Sequence, residues 1–288
     1  MRLGFSAACR AWLLSTRSHL IKCDWRAGRP PLFVVGCGRS GTTALGRALG
    51  ALPEVLYLNE PRELWAAAVP ATDIWSIAAP LRRGRLRLSK ADEATADRLR
   101  KLFASELTKS GRTHLVEKTP ENAFRIPLIR SAFPQARFVW IARDPVSTVR
   151  SIAHRYATSR PWRAGWSGVW DYKWRQIERT EQLDFNLSDL QNCAKGRAFQ
   201  EWRLFLHEQI RYIDDPSVLH ITYEELVHKP HHVIRGIWKH MTELDSLSQD
   251  ELNEASAILV RPAGATHWDT TMLNQEDLKV VDLLFHQL

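Results

Sequence analysis

Long apolar runs are missing from this chain of 288 residues. The best N-terminal candidate, Leu3 to Leu14, is interrupted by Arg10 and falls well short of the roughly 20 apolar residues that a bilayer-crossing helix needs. No other stretch is longer, so the expectation is a soluble, cytoplasmic protein without a membrane anchor. Peripheral attachment through a surface helix bearing Arg10, Trp12 and Arg17 stays open. Cysteine is scarce as well: Cys9, Cys23, Cys37 and Cys193 are too few and too scattered for a disulfide framework or a zinc site, which favours a reduced compartment. Zinc-finger spacing, an aromatic RNA-binding signature and an uninterrupted basic arm are absent. Nucleic acid is therefore not the expected partner, even though 40 Lys and Arg against 32 Asp and Glu leave a net charge of +8. With no internal repeat, low-complexity tract or clear linker, the chain reads as a single domain at 31–288 after an extension at 1–30.

What is present is concentrated between Pro31 and Leu49, PLFVVGCGRSGTTALGRAL, where an apolar run of strand length meets a glycine-rich turn that opens into helical spacing. Gly36, Gly38 and Gly41 suit backbone angles and close approaches that larger residues refuse, and a helix start aims unpaired N–H groups at an anion. Gly36, Gly41 and Thr43 match three anchors of the P-loop pattern G-x-x-x-x-G-K-[ST], but Thr42 stands in the place of its lysine. A nucleoside-triphosphate enzyme uses that lysine on the β- and γ-phosphates and holds magnesium through the next hydroxyl. The kinase reading is weakened, and an anion bound without metal by Arg39, Ser40, Thr42 and Thr43 is favoured. An ordinary tight strand-to-helix turn is the plain alternative. Cys37, inside the loop, reads as a small buried filler before a modifiable thiol.

The loop resembles the 5′-phosphosulfate loop of the sulfotransferases, P-[KR]-S-G-T, with Gly38 in place of the proline. A second segment, RFVWIARDPVSTVRS from Arg137 to Ser151, is an apolar strand ending in Arg143 with a helix started by Asp144 and Pro145. Arg143 and Ser151 are eight positions apart, the spacing of the family's 3′-phosphate signature, and two helical turns make that spacing sensible. An arginine fork beside a hydroxyl suits a terminal phosphate. Lesser matches extend the likeness over most of the chain. In LVEKTPEN, Lys118 would lie beside the transferred sulfonate; in VLHITYEEL, Tyr223 would meet the adenine; and Arg261, seven residues before Trp268, falls in the family's closing loop, although PAGATH departs from the usual text.

The resemblance implies an enzyme that moves the sulfonate of 3′-phosphoadenylyl sulfate (PAPS) to an acceptor hydroxyl, releasing adenosine 3′,5′-bisphosphate, with no metal required. Arg39 and Lys118 would neutralise the charge that develops in transfer. The base is harder to assign. In the cytosolic phenol and steroid branch it is a histidine two residues after the lysine, where this chain has Pro120. The branch acting on protein tyrosine and many carbohydrates uses a glutamate after the first helix, and YLNEPR offers Glu60 at a matching distance, with Glu117 in reserve. Burial would raise the pKa of Glu60, and Arg39 or Arg62 would lower it. Asn59, Glu60 and Pro61 also read simply as a helix N-terminus. Two alternatives stay open beside this reading: a divergent P-loop nucleotide kinase, and an inactive nucleotide-binding relative serving as an interaction module.

Strand-like runs at 32–36, 55–58, 113–117, 137–142 and 217–221 alternate with helical spacing, which predicts an α/β fold: a largely parallel sheet with helices on both faces. Ser89 is expected to open a helix with Leu99, Leu102, Phe103 and Leu107 on one face. Ala198, Trp202, Phe205, Leu206, Ile210 and Ile213 share a face later, and Ser248 with Glu251 reads as a capping box. Between Tyr156 and Tyr172, Arg160, Trp162, Arg163, Trp166 and Trp170 stand among glycines with few aliphatics, which marks an acceptor-side loop at about 156–190. Tryptophan faces suit sugar rings, so a carbohydrate or glycolipid hydroxyl is favoured over a phenol or peptide tyrosine. A small satellite core or a subunit contact, and hence a homodimer, is the alternative for the same residues.

Overall fold

The computed structural model describes residues 11, 13–16, 25, 29–75, 83–158, 173–174, 194–259, 271 and 273–282. Five strands form one sheet in the order β2-β3-β1-β4-β5: β1 Leu32–Val35, β2 Val55–Asn59, β3 His114–Lys118, β4 Arg137–Ala142 and β5 Val218–Thr222. All neighbouring pairs run parallel, with Val34 opposite Lys118 and Val139, and Asn59 opposite Lys118. The central strands are apolar on both faces because both are covered. Phe33, Val35, Leu115, Phe138 and Trp140 point into one core, and Leu32, Val34, Val116, Val139 and Ile141 into the other, as the two-residue period of a strand requires.

Ten helices of the described residues flank or follow the sheet: α1 Thr42–Gly50, α2 Arg62–Ala68, α3 Glu93–Ser110, α4 Ile126–Ala132, α5 Pro145–Thr158, α6 Ala194–Ile210, α7 Tyr223–His228, α8 Pro230–Thr242, α9 Gln249–Ala257 and α10 Gln275–Val281. The first core takes Trp65 of α2, Leu99, Leu102 and Phe103 of α3, Ile152 of α5, and Trp202 and Phe205 of α6. Leu45 and Leu49 of α1, Ile237 of α8 and Leu252 of α9 close the second. Ala11 and Trp25 also belong to the first core, Trp25 meeting Phe133 edge-on at 5.2 Å.

The expected elements differ from the observed ones mainly at their ends. Asp92, not Ser89, caps α3: its carboxylate accepts from Thr95 N at 2.8 Å, so the helix begins one turn later. Leu107 is only partly buried against the core that Leu99, Leu102 and Phe103 enter. Asp144 does open α5, accepting from Ser147 N at 2.6 Å, and the Ser248–Glu251 capping box is present at α9. Pro61 caps α2 instead of occupying its first turn, and Glu60 stands outside the helix.

Connections from β1 and β4 leave in opposite directions across the sheet, β1 toward β2 and β4 toward β5. The crevice beyond the carboxyl ends of these two strands is where open α/β sheets bind ligands. Both expected donor segments start there, one after Val35 and one after Ala142.

Candidate functional site

The loop between β1 and α1 is shaped by two of its three glycines. Gly36 has φ +135° and a Cβ there would sit 2.2 Å from Ile141 O; Gly41 has φ +95° and its Cβ would meet the Tyr223 ring at 2.3 Å. At Gly38 a Cβ would find only ordinary contact, with Glu201 Oε1 at 3.6 Å, so the expectation that all three glycines are sterically required is corrected. This also explains how the position where the resembling loops carry proline accommodates another residue. Gly41 caps α1 with no side-chain hydrogen bond, which leaves first-turn N–H groups at Thr42 and Thr43 turned toward the crevice.

Arg39 stands at the loop tip in a left-handed conformation, φ 72°. Its Nε donates to Ser151 Oγ at 3.1 Å, and its carbonyl accepts from Arg143 Nη1 at 3.2 Å. The Arg143 guanidinium lies 4.4 Å from the centre of the Tyr223 ring, and its own carbonyl accepts from Trp202 Nε1 at 3.1 Å. Thus Arg39, Gly41, Arg143, Ser151 and Tyr223, drawn from four parts of the chain, meet in one place. Arg155, one helical turn beyond Ser151, joins them. The pKa of Arg39 is lowered first by burial and then by the charges of Arg155 and Arg143. Among the described residues none of these three arginines has a carboxylate within ion-pair distance. Like charges held together in this way fit a polyanion. Arg155 was missed in the sequence, although its i+4 relation to Ser151 is a visible signal.

Across the loop, β2 and β3 bring together a second group. The ladder continues one residue past Asn59, with Glu60 N donating to Lys118 O at 2.8 Å, and the chain then turns at Glu60 with φ 50°. Lys118, 1% exposed, donates from Nζ to Glu60 Oε1 at 2.6 Å, and Arg62 Nη2 pairs with Glu60 Oε2. Arg62 is itself stacked 4.4 Å over the Trp75 ring. Burial alone would raise the pKa of Glu60, but Arg62 and Lys118 together hold it below the usual carboxylate value, so the group is ionised at neutral pH. The sequence reading named Arg39 or Arg62 for this effect; the structure selects Arg62 and adds Lys118. A carboxylate has about four acceptor positions, so two cations leave capacity for an incoming hydroxyl.

Glu117, the reserve candidate, is fully buried and already accepts from Trp65 Nε1 at 3.0 Å, Thr119 Oγ1 at 2.5 Å and Asn122 Nδ2 at 3.0 Å. Burial pushes its pKa up to about 7 in spite of those donors. Lys173 was also missed. Fully enclosed behind the loop, it bridges Glu121 at 2.9 Å and Glu201, whose Oε2 accepts from Trp174 Nε1 at 2.9 Å. Burial would lower the Lys173 pKa, and the two carboxylates override it and raise it. Of the expected acceptor-side loop at about 156–190, the described residues are 156–158, which are the helical end of α5 and not loop, and Lys173 with Trp174. Arg160, Trp162, Arg163, Trp166 and Trp170 lie outside the described residues, as do Arg261 and Trp268. Cys37 is buried and its thiol is pushed up, first by that burial, so a filler role accounts for it. Among the described residues no helix is long and apolar enough to cross a membrane, and no three His, Cys, Asp or Glu side chains gather as a metal site would need.

A glycine loop at the switch point of a parallel sheet, with clustered arginines on one side and a cation-clasped carboxylate on the other, defines a P-loop α/β protein with a cationic crevice. Residues 30–245 match the model described as the sulfotransferase family, and the chain belongs to that family. It is 28% identical over 134 residues to protein-tyrosine sulfotransferase 1 of Danio rerio, a match covering 45% of this chain and 37% of the relative. It is 26% identical over 218 residues to the protein-tyrosine sulfotransferase of Drosophila melanogaster, covering 73% of this chain and 37% of that protein. The chain thus spans well under half the length of these curated relatives. A sulfotransferase of known structure from Alicyclobacillus acidocaldarius is similar with a TM-score of 0.49 at 19% identity, covering 90% of this chain and 97% of that one.

Proposed function

We propose that the chain transfers the sulfonate of PAPS to an acceptor hydroxyl, with Glu60 as the base. The observation that carries this reading is the contact of Glu60 with Lys118 at 2.6 Å, beside a loop whose other flank is the Arg39, Arg143 and Ser151 cluster. Bound PAPS would supply a sulfonate on a phosphate leaving group. Arg39 and the N–H groups and hydroxyls at Gly41, Thr42 and Thr43 hold the 5′-phosphosulfate. Arg143 and Ser151 take the 3′-phosphate, Tyr223 lines the nucleotide, and Arg261 is assigned to the closing loop on the resemblance alone. With donor bound, the acceptor oxygen would gain its bond to sulfur as the sulfur–oxygen bond to the 5′-phosphate breaks and adenosine 3′,5′-bisphosphate leaves; the acceptor proton would pass to the Glu60 carboxylate, and Lys118 would stabilise the charge spread between them. Glu117, with its oxygens committed to three donors, supports the strand end.

For the acceptor, the tryptophans and arginines between Tyr156 and Tyr172 favour a carbohydrate or glycolipid hydroxyl. A peptide tyrosine is the second reading, favoured by the names of the two relatives. The first experiment is calorimetry without metal, comparing adenosine 3′,5′-bisphosphate with ATP and adenosine monophosphate. Binding should need the 3′-phosphate and weaken about 10- to 100-fold in Arg143→Ala, the range for hydrogen bonds to a charged group. Indifference to that phosphate, or dependence on magnesium and ATP, restores the kinase reading. Labelled PAPS incubated with a glycan panel and with tyrosyl peptides then separates the acceptors, and transfer to neither supports an inactive relative.

A further inference from the structure

His220, on β5, has its two ring nitrogens in different company. Nε2 is 3.1 Å from the carbonyl oxygen of Tyr212, which can only accept, so Nε2 carries the proton. Nδ1 is then the bare nitrogen, and it accepts from Gln209 Nε2 at 3.0 Å. A neutral ring agrees with the burial that lowers the His220 pKa. This contact fixes the Gln209 amide: its nitrogen faces His220, and its oxygen faces away. Gln209 is fully buried, and its Oε1 has no hydrogen-bond partner.

Ser40, in the phosphate loop, presents the same signature. Its N–H donates to Cys37 O at 3.1 Å, its side chain is fully buried, and its Oγ is without a partner. Ser40 and Gln209 line one small cavity together with Cys37, Trp140, Trp202 and Phe205. Its volume is that of about one water molecule. Two buried polar atoms left unmatched at one such cavity need a molecule that both donates and accepts.

We propose that a single water molecule binds here, donating to Gln209 Oε1, hydrogen-bonded to Ser40 Oγ and contacted by the Cys37 thiol, and that Gln209 positions the phosphate loop through it. Ser40 then serves the loop from behind, which revises its expected place on the donor. Gln209 and Ser40 are positioning residues, and the functional part of the inference rests on the donor site proposed above.

A double-mutant cycle on the full chain tests it, with the affinity for adenosine 3′,5′-bisphosphate as the readout. Ser40→Ala and Gln209→Leu should each weaken binding about 3- to 10-fold, as loss of one hydrogen bond implies, and the double variant should be no weaker than the worse single. Gln209→Leu should raise the KM for donor more than it lowers kcat. Losses that multiply in the double variant, or singles without effect, overturn the proposal, because Ser40 would then act on the donor alone or not at all. If the wild-type chain binds no bisphosphate, the donor reading fails. The same cycle read by thermal melting still decides the water, as does a crystal structure with or without an ordered water between Ser40 and Gln209.

Discussion

On the β3 side of the phosphate loop, Lys118 and Arg62 close on one carboxylate, Glu60; on the β4 side, Arg39, Arg143 and Arg155 gather with no carboxylate in ion-pair range among the described residues. The first group is self-satisfied, since both of its cations already meet the Glu60 carboxylate. The second stores repulsion that only an anion relieves. On the proposed function, the carboxyl end of the central strand separates two tasks: binding strength belongs where cations are unmatched, and proton transfer where they are matched. This division predicts that substitutions on the two sides fail in different ways.

The largest effect should come from cations that serve the transferred group. Arg39→Ala and Lys118→Ala should each lower kcat by about 100- to 1000-fold, the size expected for a preorganised charge facing the transition state, and only Arg39→Ala should also weaken bisphosphate binding. Melting temperature should fall little for Arg39→Ala, whose side chain leaves no buried partner behind, and parallel loss of melting temperature and activity would sink the assignment. Next comes Glu60→Gln, which should cut turnover about 100-fold, the lower end of a general base's contribution, while leaving bisphosphate affinity nearly intact. Unchanged turnover moves the base elsewhere, and equal loss of affinity erases the division between the two sides.

A pH profile sharpens the same contrast with a smaller effect. Because Arg62 and Lys118 outweigh burial and lower the Glu60 pKa, the ionised base should persist as pH falls past 4.5, and the acid limb of kcat/KM should lie below that value. Arg62→Gln should move the limb upward, and a limb that stays in place denies Arg62 its part in holding Glu60. The same pairing contributes stability that is present above the unfolded carboxylate value and is lost as pH falls through the folded one. Glu117 behaves oppositely. Its pKa is raised from 4.5 to about 7, so stability should decline by on the order of 3 kcal/mol as pH rises through that interval. Urea melts of wild type and Glu117→Gln across that range should differ in slope, and identical slopes would show that the carboxyl is not held neutral.

Much of this was legible in the sequence because it is local. The apolar runs marked all five strands to within a residue or so, and the glycine loop and the Arg143 to Ser151 spacing pointed to two segments that the fold brings together. Distance in sequence hid the rest. That Glu60 meets Lys118 depends on β2 lying beside β3, a pairing no periodicity reveals. That Ser151 answers to Arg39 depends on α5 rising directly over the loop. The Lys173, Glu121 and Glu201 cluster joins residues from separate segments, each an ordinary surface charge when read alone. Asp92 displaced Ser89 as a cap for a local reason, since both residues suit the role and only Asp92 has Thr95 N within reach.

Arg39 and Glu60 share one more property, a left-handed backbone at φ 72° and φ 50°. Its consequence is methodological: at these positions an alanine scan changes two things unequally. Alanine deletes the charge and keeps the strained backbone, whereas glycine deletes the charge and removes about 1 kcal/mol of strain as well. The alanine and glycine variants at each site therefore form a matched pair. Activity lost equally in both belongs to the side chain, and any difference in melting between them measures what the turn costs the fold.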